Sequence, residues 1–90
     1  MRIGSHFFKN RSGLGLHYLT WGEPEQPVLI MLHGLRSYAA TWQMLAPLIA
    51  KHFYVVALDQ RGRGQSDWAE YSSYQTEYYV HDLEDLIAEL

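Results

Sequence analysis

The feature that most constrains this chain is a run of five apolar residues, Val28–Leu32, which follows a proline and stops at His33-Gly34. Such a run predicts a strand buried on both faces, ending where the backbone turns sharply. A second run, Tyr54–Asp59, has the same design and also leads into a glycine-containing loop. Because a segment with helical spacing separates the two runs, the sequence predicts a parallel β-α-β unit with a right-handed crossover.

Short β-prone stretches at residues 6–9 and 15–21 flank the turn-forming residues 10–13, which predicts an opening hairpin. Residues 38–51 place apolar side chains at three- and four-residue spacings, as on one face of a helix. Pro47 interrupts this segment, and a proline in a helix interior costs ~3 kcal/mol. The helix is therefore expected either to kink there or to give way to a second short helix with Pro47 in its first turn.

Residues 76–90 predict an amphipathic helix packed on the sheet. Thr76 is expected to cap its N-terminus, and Glu77 suits the positive end of the helix dipole. The pattern continues to the last residue without a C-capping glycine. The predicted apolar face comprises Tyr79, Val80, Leu83, Leu86, Ile87 and Leu90, and the predicted polar side comprises Asp82, Glu84, Asp85 and Glu89.

The composition excludes several classes of function. Ninety residues, 48% of them hydrophobic, predict at most one domain, and a net charge of -3 argues against a nucleic-acid or anionic-membrane partner. The chain has no cysteine, and its five histidines lack the spacing of metal ligands, so no metal site is expected. Without an apolar run of ~20 residues or a signal peptide, we expect a soluble, cytoplasmic protein.

Several segments together resemble the N-terminal part of an α/β-hydrolase. The resemblance covers nearly the whole chain and rests on the order and strand context of His17–Gly22, Leu32-His33-Gly34, Trp42, Asp59–Asp67, and Tyr79 with Asp82 and Leu83. It implies that residues 1–90 form a partial α/β-hydrolase fold: the hairpin, the parallel β-α-β unit and the final amphipathic helix. It also implies cofactor-independent hydrolysis of an ester, a lactone or a related carbonyl bond in a small-molecule substrate.

The resemblance implies roles for the residues after the first parallel strand. In the family this loop supplies a backbone N–H to the oxyanion hole, which maps to Leu35, with Gly34 permitting close approach and His33 holding the loop. Arg36 and Trp42 are candidate pocket residues. Because the loop lacks the Gly-Pro-Gly of proline iminopeptidases and the proline typical of epoxide hydrolases, an esterase, lactonase or carbon-carbon bond hydrolase is favoured. An aspartate nucleophile, as in epoxide hydrolases and haloalkane dehalogenases, is the alternative.

The chain also departs from the family pattern, because it contains no Gly-x-Ser-x-Gly nucleophile elbow. The nearest segment, residues 64–68, has Trp68 in place of the second glycine. The family's acid and catalytic histidine lie further on, so we expect this chain to be a fragment that lacks the triad and is inactive alone. The competing hypothesis is a non-catalytic association module. The family's next strand would pair beside residues 28–32, and without it the open edge invites self-association or a complementing polypeptide.

Other prominent residues have structural interpretations. His33 is predicted to orient its loop rather than act as a base, and Asp59 to anchor a loop as a hydrogen-bond acceptor. Residues 61–64 predict a tight loop whose arginines pair with local acids, and Ser66 a turn residue rather than a nucleophile. Packing is the favoured role, and a substrate surface the alternative, for an aromatic cluster comprising Tyr71, Tyr74, Tyr78 and Tyr79.

Overall fold

The computed structural model describes residues 2–34 and 36–90, which form one mixed four-stranded sheet with helices on both faces. The strand order is β1-β2-β4-β3, in which β1, β2 and β4 are antiparallel neighbours and β3 is parallel to β4. The predicted α/β architecture, with its hairpin and parallel β-α-β unit, is confirmed. The elements are β1 (Ile3–Lys9), β2 (Gly15–Trp21), β3 (Val28–Leu32), a 3₁₀ turn (Ala39–Trp42), α1 (Ala46–Ile49), β4 (Tyr54–Asp59) and α2 (Thr76–Glu89).

Strand β4 lies at the centre of the core and separates two hydrophobic clusters. Val56 and Leu58 face α2 and pack in a cluster that includes Leu86. Val55 and Ala57 point to the opposite face and pack in a cluster with residues of the 3₁₀ turn and α1. Alternate residues of a strand point to opposite faces, so β4 is apolar throughout because both of its faces are covered.

The burial predicted for β3 is wrong. The side chains of Val28 and Leu32 are 48% and 40% exposed, whereas Val55 and Val56 in β4 are fully buried. In the described part of the chain β3 has β4 as its one strand neighbour and is therefore a sheet edge. The run of apolar residues identified the strand correctly but did not determine its position in the sheet.

Pro47 divides the connection between β3 and β4 into two short helices. A 3₁₀ turn covers residues 39–42, and α1 then begins at Ala46 with Pro47 in its first turn. A proline is tolerated there because the first N–H groups of a helix have no intrahelical partner. Of the two alternatives left open by the sequence, the second short helix is confirmed.

Fewer of the apolar side chains of α2 are buried than its sequence predicts. Leu86 is fully buried, whereas Val80, Ile87 and Leu90 are 48%, 56% and 45% exposed. Asp82, predicted on the polar side, is 1% exposed and points inward. The predicted cap is also wrong, because Gln75 occupies the N-cap position without a side-chain hydrogen bond and Thr76 is the first helical residue. Within the described chain, no helix has both the length and the apolar character needed to cross a bilayer.

The side chain of Asn10 closes the turn of the opening hairpin. Its Oδ1 atom accepts hydrogen bonds from the backbone N–H groups of Ser12 and Leu14, at 2.9 and 2.8 Å. Gly13 has a φ of 83°, a left-handed conformation that glycine adopts without steric cost. The hairpin is confirmed, although β1 begins at Ile3 rather than at residue 6.

Substitution of neighbouring apolar residues in α2 tests which part of this helix contacts the core. We expect Leu86→Ala to reduce the free energy of unfolding by about 2–5 kcal/mol, because it leaves a cavity beneath the sheet. Ile87→Ala removes a similar volume from an exposed position and serves as the matched control, with a loss below about 1 kcal/mol. Urea denaturation measures both values. Equal losses for the two variants would contradict this orientation of the helix.

Candidate functional site

The parallel strands β3 and β4 end side by side, and His33 connects the two loops that follow their carboxyl ends. The backbone N–H of Gln60 donates to His33 Nε2 at 3.0 Å, and the Gln60 side-chain amide donates to the His33 carbonyl oxygen at 2.9 Å. His33 Nδ1 lies 2.8 Å from the Gly34 carbonyl oxygen. Since Nε2 accepts a hydrogen bond, Nδ1 carries the proton of a neutral imidazole and donates it. Neither ring nitrogen is then available to act as a base.

Asp59, at the end of β4, anchors the surrounding loops as the sequence predicted. Its Oδ1 accepts a hydrogen bond from the backbone N–H of Ala39 at 2.6 Å. Its Oδ2 accepts from the backbone N–H of Gln65 at 3.0 Å and lies 2.7 Å from His17 Nδ1. Asp59 is 3% exposed, so these donors satisfy a carboxylate that burial alone would destabilise.

Two glycines give the loop after β4 its tight course. Gly62 and Gly64 have φ values of 77° and 53°, in the left-handed region. A Cβ atom at Gly64 would lie 2.2 Å from the Asp59 carboxylate, so a larger residue would displace the loop anchor. Ser66 also fixes this loop, because its hydroxyl donates to the Asp59 carbonyl oxygen and accepts from the backbone N–H of His17. The predicted turn role of Ser66 agrees with these contacts.

A buried ion pair joins this loop to α2. Arg61 Nε and Nη2 donate to the two carboxylate oxygens of Asp82 at 2.7 and 2.8 Å, and Nη1 donates to the Ser73 carbonyl oxygen at 2.7 Å. Asn10 Nδ2 donates to Asp82 Oδ1 at 2.8 Å. The hydrogen bonds to Asp82 raise the pKa of Arg61 above its ordinary value, so the guanidinium remains charged although it is 4% exposed. The Arg61 guanidinium also lies 5.2 Å from the centroid of the Tyr78 ring.

The sequence predicted that Arg61 pairs with an acid but did not identify Asp82 as the partner. Asp82 lies four residues before Leu86, and positions i and i+4 share one face of a helix. That spacing was the signal that an acid lay on the buried face. The prediction placed Asp82 on the polar side of α2 with the other acidic residues and therefore missed its buried position.

A groove lined by tyrosine and arginine side chains opens beside His33. One cavity of about 310 Å³ is lined by His33, Gly34, Gln60, Arg63, Tyr74 and Tyr79. A neighbouring cavity of about 420 Å³ shares Arg63, Tyr74 and Tyr79. The hydroxyl of Tyr74 also accepts a hydrogen bond from the backbone N–H of Ala69 at 2.8 Å. Tyr74 and Tyr79 of the aromatic cluster line both cavities, and Tyr71, which is 99% exposed, lines the larger one.

Two of the other predicted site residues, Arg36 and Trp42, lie away from the cavities beside His33. Leu35, the predicted oxyanion-hole donor, lies outside the described residues. Arg36 is exposed and has a φ of 62°, a conformation uncommon for a residue other than glycine. Trp42 packs against the cluster on the α1 side of the sheet, and its buried Nε1 has no hydrogen-bond partner within residues 2–34 and 36–90. Neither Arg36 nor Trp42 lines the two cavities beside His33, and their pocket roles stay predictions.

No metal centre is formed by the described residues, in which no group of three or more histidine and carboxylate side chains is arranged to hold an ion.

The comparisons with known proteins agree with this geometry. A family model described as the alpha/beta hydrolase fold matches residues 27–90. This chain belongs to the α/β-hydrolase fold family. The resemblance identified from the sequence is thereby confirmed.

Individual relatives in the α/β-hydrolase family have several activities. The chain is 38% identical to the 3-hydroxybutyrate-oligomer hydrolase of Cupriavidus necator, over 99% of this chain and 31% of that protein. It is 33% identical to mouse epoxide hydrolase 4, over 98% of this chain and 25% of that protein. The chain thus spans about a quarter to a third of these curated relatives.

A solved relative matches the fold of the whole chain. The thioesterase domain from the curacin biosynthetic pathway superposes with a TM-score of 0.90 at 32% identity, covering all of this chain and 32% of that one. Epoxide hydrolase VrEH1 from Vigna radiata superposes with a TM-score of 0.88 at 28% identity, covering 97% of this chain and 28% of that one. The arrangement of β1–β4 is therefore that of α/β hydrolases.

Substitution of Asp82 tests the buried ion pair that holds the loop after β4. We expect Asp82→Asn to reduce the free energy of unfolding by about 3–5 kcal/mol, because it leaves the Arg61 charge buried without a counter-ion. Amide hydrogen exchange should also increase in residues 60–67. Urea denaturation and hydrogen exchange followed by mass spectrometry measure these effects.

Asp85→Asn is the matched control for this experiment. Asp85 pairs with Arg11, whose side chain is 47% exposed, and an ion pair open to solvent contributes less. We expect a smaller loss of stability and unchanged exchange in residues 60–67. If Asp85→Asn had the larger effect, the loop would not depend on Asp82.

Proposed function

We propose that this chain forms the N-terminal part of a hydrolase that cleaves an ester, a lactone or a related carbonyl bond in a small molecule. The site at the ends of β3 and β4 contributes an oxyanion-hole donor, the backbone N–H of Leu35. Such donors stabilise the negative charge that develops on a carbonyl oxygen under attack. The nucleophile and its base come from the remainder of an α/β-hydrolase fold, since no Gly-x-Ser-x-Gly elbow occurs in these residues.

The observation that carries the proposal is the hydrogen bonding of His33. Both of its ring nitrogens and its carbonyl oxygen are engaged, which fixes the residue that leads into the Gly34-Leu35 segment. A donor stabilises a transition state only if it is held in place beforehand. The space around Gly34 is open to a substrate, because a Cβ atom there would have no heavy atom within 4 Å. Gly34 also lines the 310 Å³ cavity.

The ester-cleaving assignment is favoured by the relative with the higher identity of the two reported above, a 3-hydroxybutyrate-oligomer hydrolase. The alternative, an aspartate nucleophile acting on an epoxide or haloalkane, is supported by the similarity to epoxide hydrolase 4 and to a haloalkane dehalogenase from Bradyrhizobium elkanii. Residues 1–90 contain neither a serine nor an aspartate nucleophile elbow. A test of the substrate therefore needs a second segment that supplies the nucleophile.

A chimera tests the oxyanion role directly. Residues 1–90 replace the matching third of the 3-hydroxybutyrate-oligomer hydrolase, and ester hydrolysis is measured as kcat and KM. We expect Leu35→Pro, which removes the backbone N–H, to lower kcat by about 10²–10³-fold with a smaller change in KM. Leu35→Ala keeps the N–H and is the matched control, with kcat close to that of the unmodified chimera.

Equal kcat values for the two Leu35 variants would contradict the oxyanion assignment. A second chimera, built with epoxide hydrolase 4 and assayed with an epoxide, tests the alternative. If only this second chimera is active, the aspartate branch is the correct one.

A second candidate function, self-association, is favoured by the open edge of the sheet. Val28 and Leu32 of the edge strand are roughly half-exposed, and Val28, Ile30, Ile87 and Leu90 line an apolar groove of about 460 Å³ between β3 and α2. Strand β3 contains no lysine or proline, the residues with which sheet edges resist pairing. Pairing of β3 with a second copy of the chain would cover these groups.

Light scattering across a range of protein concentrations tests this association. We expect the unmodified chain to form dimers or larger species, and Val28→Lys to reduce association, because a lysine on the edge strand opposes strand pairing. Leu48→Lys places the same charge at an exposed residue of α1, away from the edge, and should associate like the unmodified chain. A monomer at all concentrations would overturn this candidate.

A further inference from the structure

Away from His33, the structure brings Ser5, His17 and Asp59 into a single line of hydrogen bonds. Ser5 Oγ lies 2.6 Å from His17 Nε2, and His17 Nδ1 lies 2.7 Å from Asp59 Oδ2. The three residues come from β1, β2 and β4. A hydroxyl, an imidazole and a carboxylate in this order are the parts of an activated serine nucleophile, which is recognised by geometry rather than by chain order.

The surroundings of Asp59 determine which nitrogen of His17 carries the proton. The carboxylate already accepts hydrogen bonds from the backbone N–H groups of Ala39 and Gln65. As an acceptor it also takes the hydrogen bond from His17 Nδ1–H, which leaves Nε2 to accept the proton of the Ser5 hydroxyl. His17 is 1% exposed, and the ring of Phe7 lies 4.8 Å from its ring, centroid to centroid. The imidazole is thus held in the orientation that a general base requires.

Ser5 is accessible, although its two partners are buried. It lies on the outer strand of the sheet and is itself exposed. Ile3 and Phe7, two residues away on either side, share its face of β1 and are 66% and 63% exposed. These side chains form an apolar surface around the hydroxyl, which suits a small apolar acyl group.

The free edge of β1 also supplies a backbone donor. The backbone N–H of Gly22 donates to the Arg2 carbonyl oxygen, and that of Asn10 donates to the Leu14 carbonyl oxygen. Because bonded pairs alternate along an antiparallel ladder, the even-numbered residues of β1 bond to β2 and the N–H of Ser5 points away from it. The backbone N–H of the nucleophile itself is a recurrent oxyanion-hole donor in serine hydrolases.

We propose that Ser5, His17 and Asp59 form a second acyl-transfer site, which hydrolyses activated esters of small apolar carboxylic acids. Ser5 Oγ forms a bond to the acyl carbon while its proton passes to His17 Nε2, and the ester C–O bond breaks as that proton passes to the departing alcohol. Water then attacks the acyl carbon and gives a proton to His17 Nε2, and that proton passes to Ser5 Oγ as the bond between Oγ and the acyl carbon breaks. The products are one carboxylic acid and one alcohol, and Asp59 positions the imidazole throughout.

This site is independent of the function proposed above. Strands β1 and β3 lie at opposite edges of the sheet, three strand spacings or roughly 14 Å apart. All three residues of the second site are within this chain, so the site requires no nucleophile elbow. Failure of either proposal therefore leaves the other intact.

The experiment treats the 90-residue chain with p-nitrophenyl acetate. Release of p-nitrophenolate is followed by absorbance, and the acetylated residue is identified by intact mass and peptide mapping. We expect an acetyl group on Ser5. Ser5→Ala should abolish this adduct and reduce the specific rate to that of the urea-unfolded chain. Ser12→Ala and His52→Ala, which remove an exposed hydroxyl and an exposed imidazole elsewhere, are matched controls and should leave the rate unchanged.

His17→Asn tests the base. Where circular dichroism shows that this variant is folded, we expect Ser5 acetylation to slow by about 10²-fold or more. If the variant is unfolded, the comparison between Ser5→Ala and Ser12→Ala still decides the proposal. Acetylation confined to lysines, other histidines or the chain terminus would overturn it, as would unchanged hydrolysis in Ser5→Ala.

Discussion

Much of the remaining structure depends on the hydrogen bonds that the buried carboxylate of Asp59 accepts. It lies at the end of β4, the strand that is buried on both faces, and it accepts hydrogen bonds from the 3₁₀ turn, from β2 and from the loop at residues 60–67. A buried carboxylate is stable only when such donors surround it. One side chain therefore fixes the positions of segments that are far apart in the chain, and both candidate sites adjoin it.

The buried ion pair between Arg61 and Asp82 joins the loop after β4 to helix α2. The guanidinium makes two hydrogen bonds to the carboxylate and a third to the Ser73 carbonyl oxygen, so little of its charge is left uncompensated. Asn10 adds the hairpin turn to the same cluster through its hydrogen bond to Asp82. Because the partners of a buried ion pair must be correctly placed, this cluster specifies how the helix and the hairpin meet the sheet.

The open edge at β3 and the site at His33 belong to the same strand. In this chain β3 has β4 as its described strand partner, and its apolar side chains remain partly exposed beside α2. His33 follows directly at its carboxyl end. A segment that paired with this edge, whether the remainder of a hydrolase fold or a second copy of the chain, would lie next to His33 and Gly34. The two proposed functions, association and a contribution to hydrolysis, thus concern the same side of the molecule.

The sequence alone determined most local elements: the hairpin, the two parallel strands, an interruption at Pro47 and the final helix follow from periodicity and turn residues. It left open whether Pro47 kinks one helix or begins a second, and the structure shows the second. It also supported the α/β-hydrolase assignment and the anchoring role of Asp59. Only the tertiary structure decided how far the side chains of β3 are exposed, that Asp82 faces inward to Arg61, and that Ser5 meets His17. Local patterns predict which residues share a face, whereas these outcomes depend on strand order and on contacts between residues up to 72 positions apart.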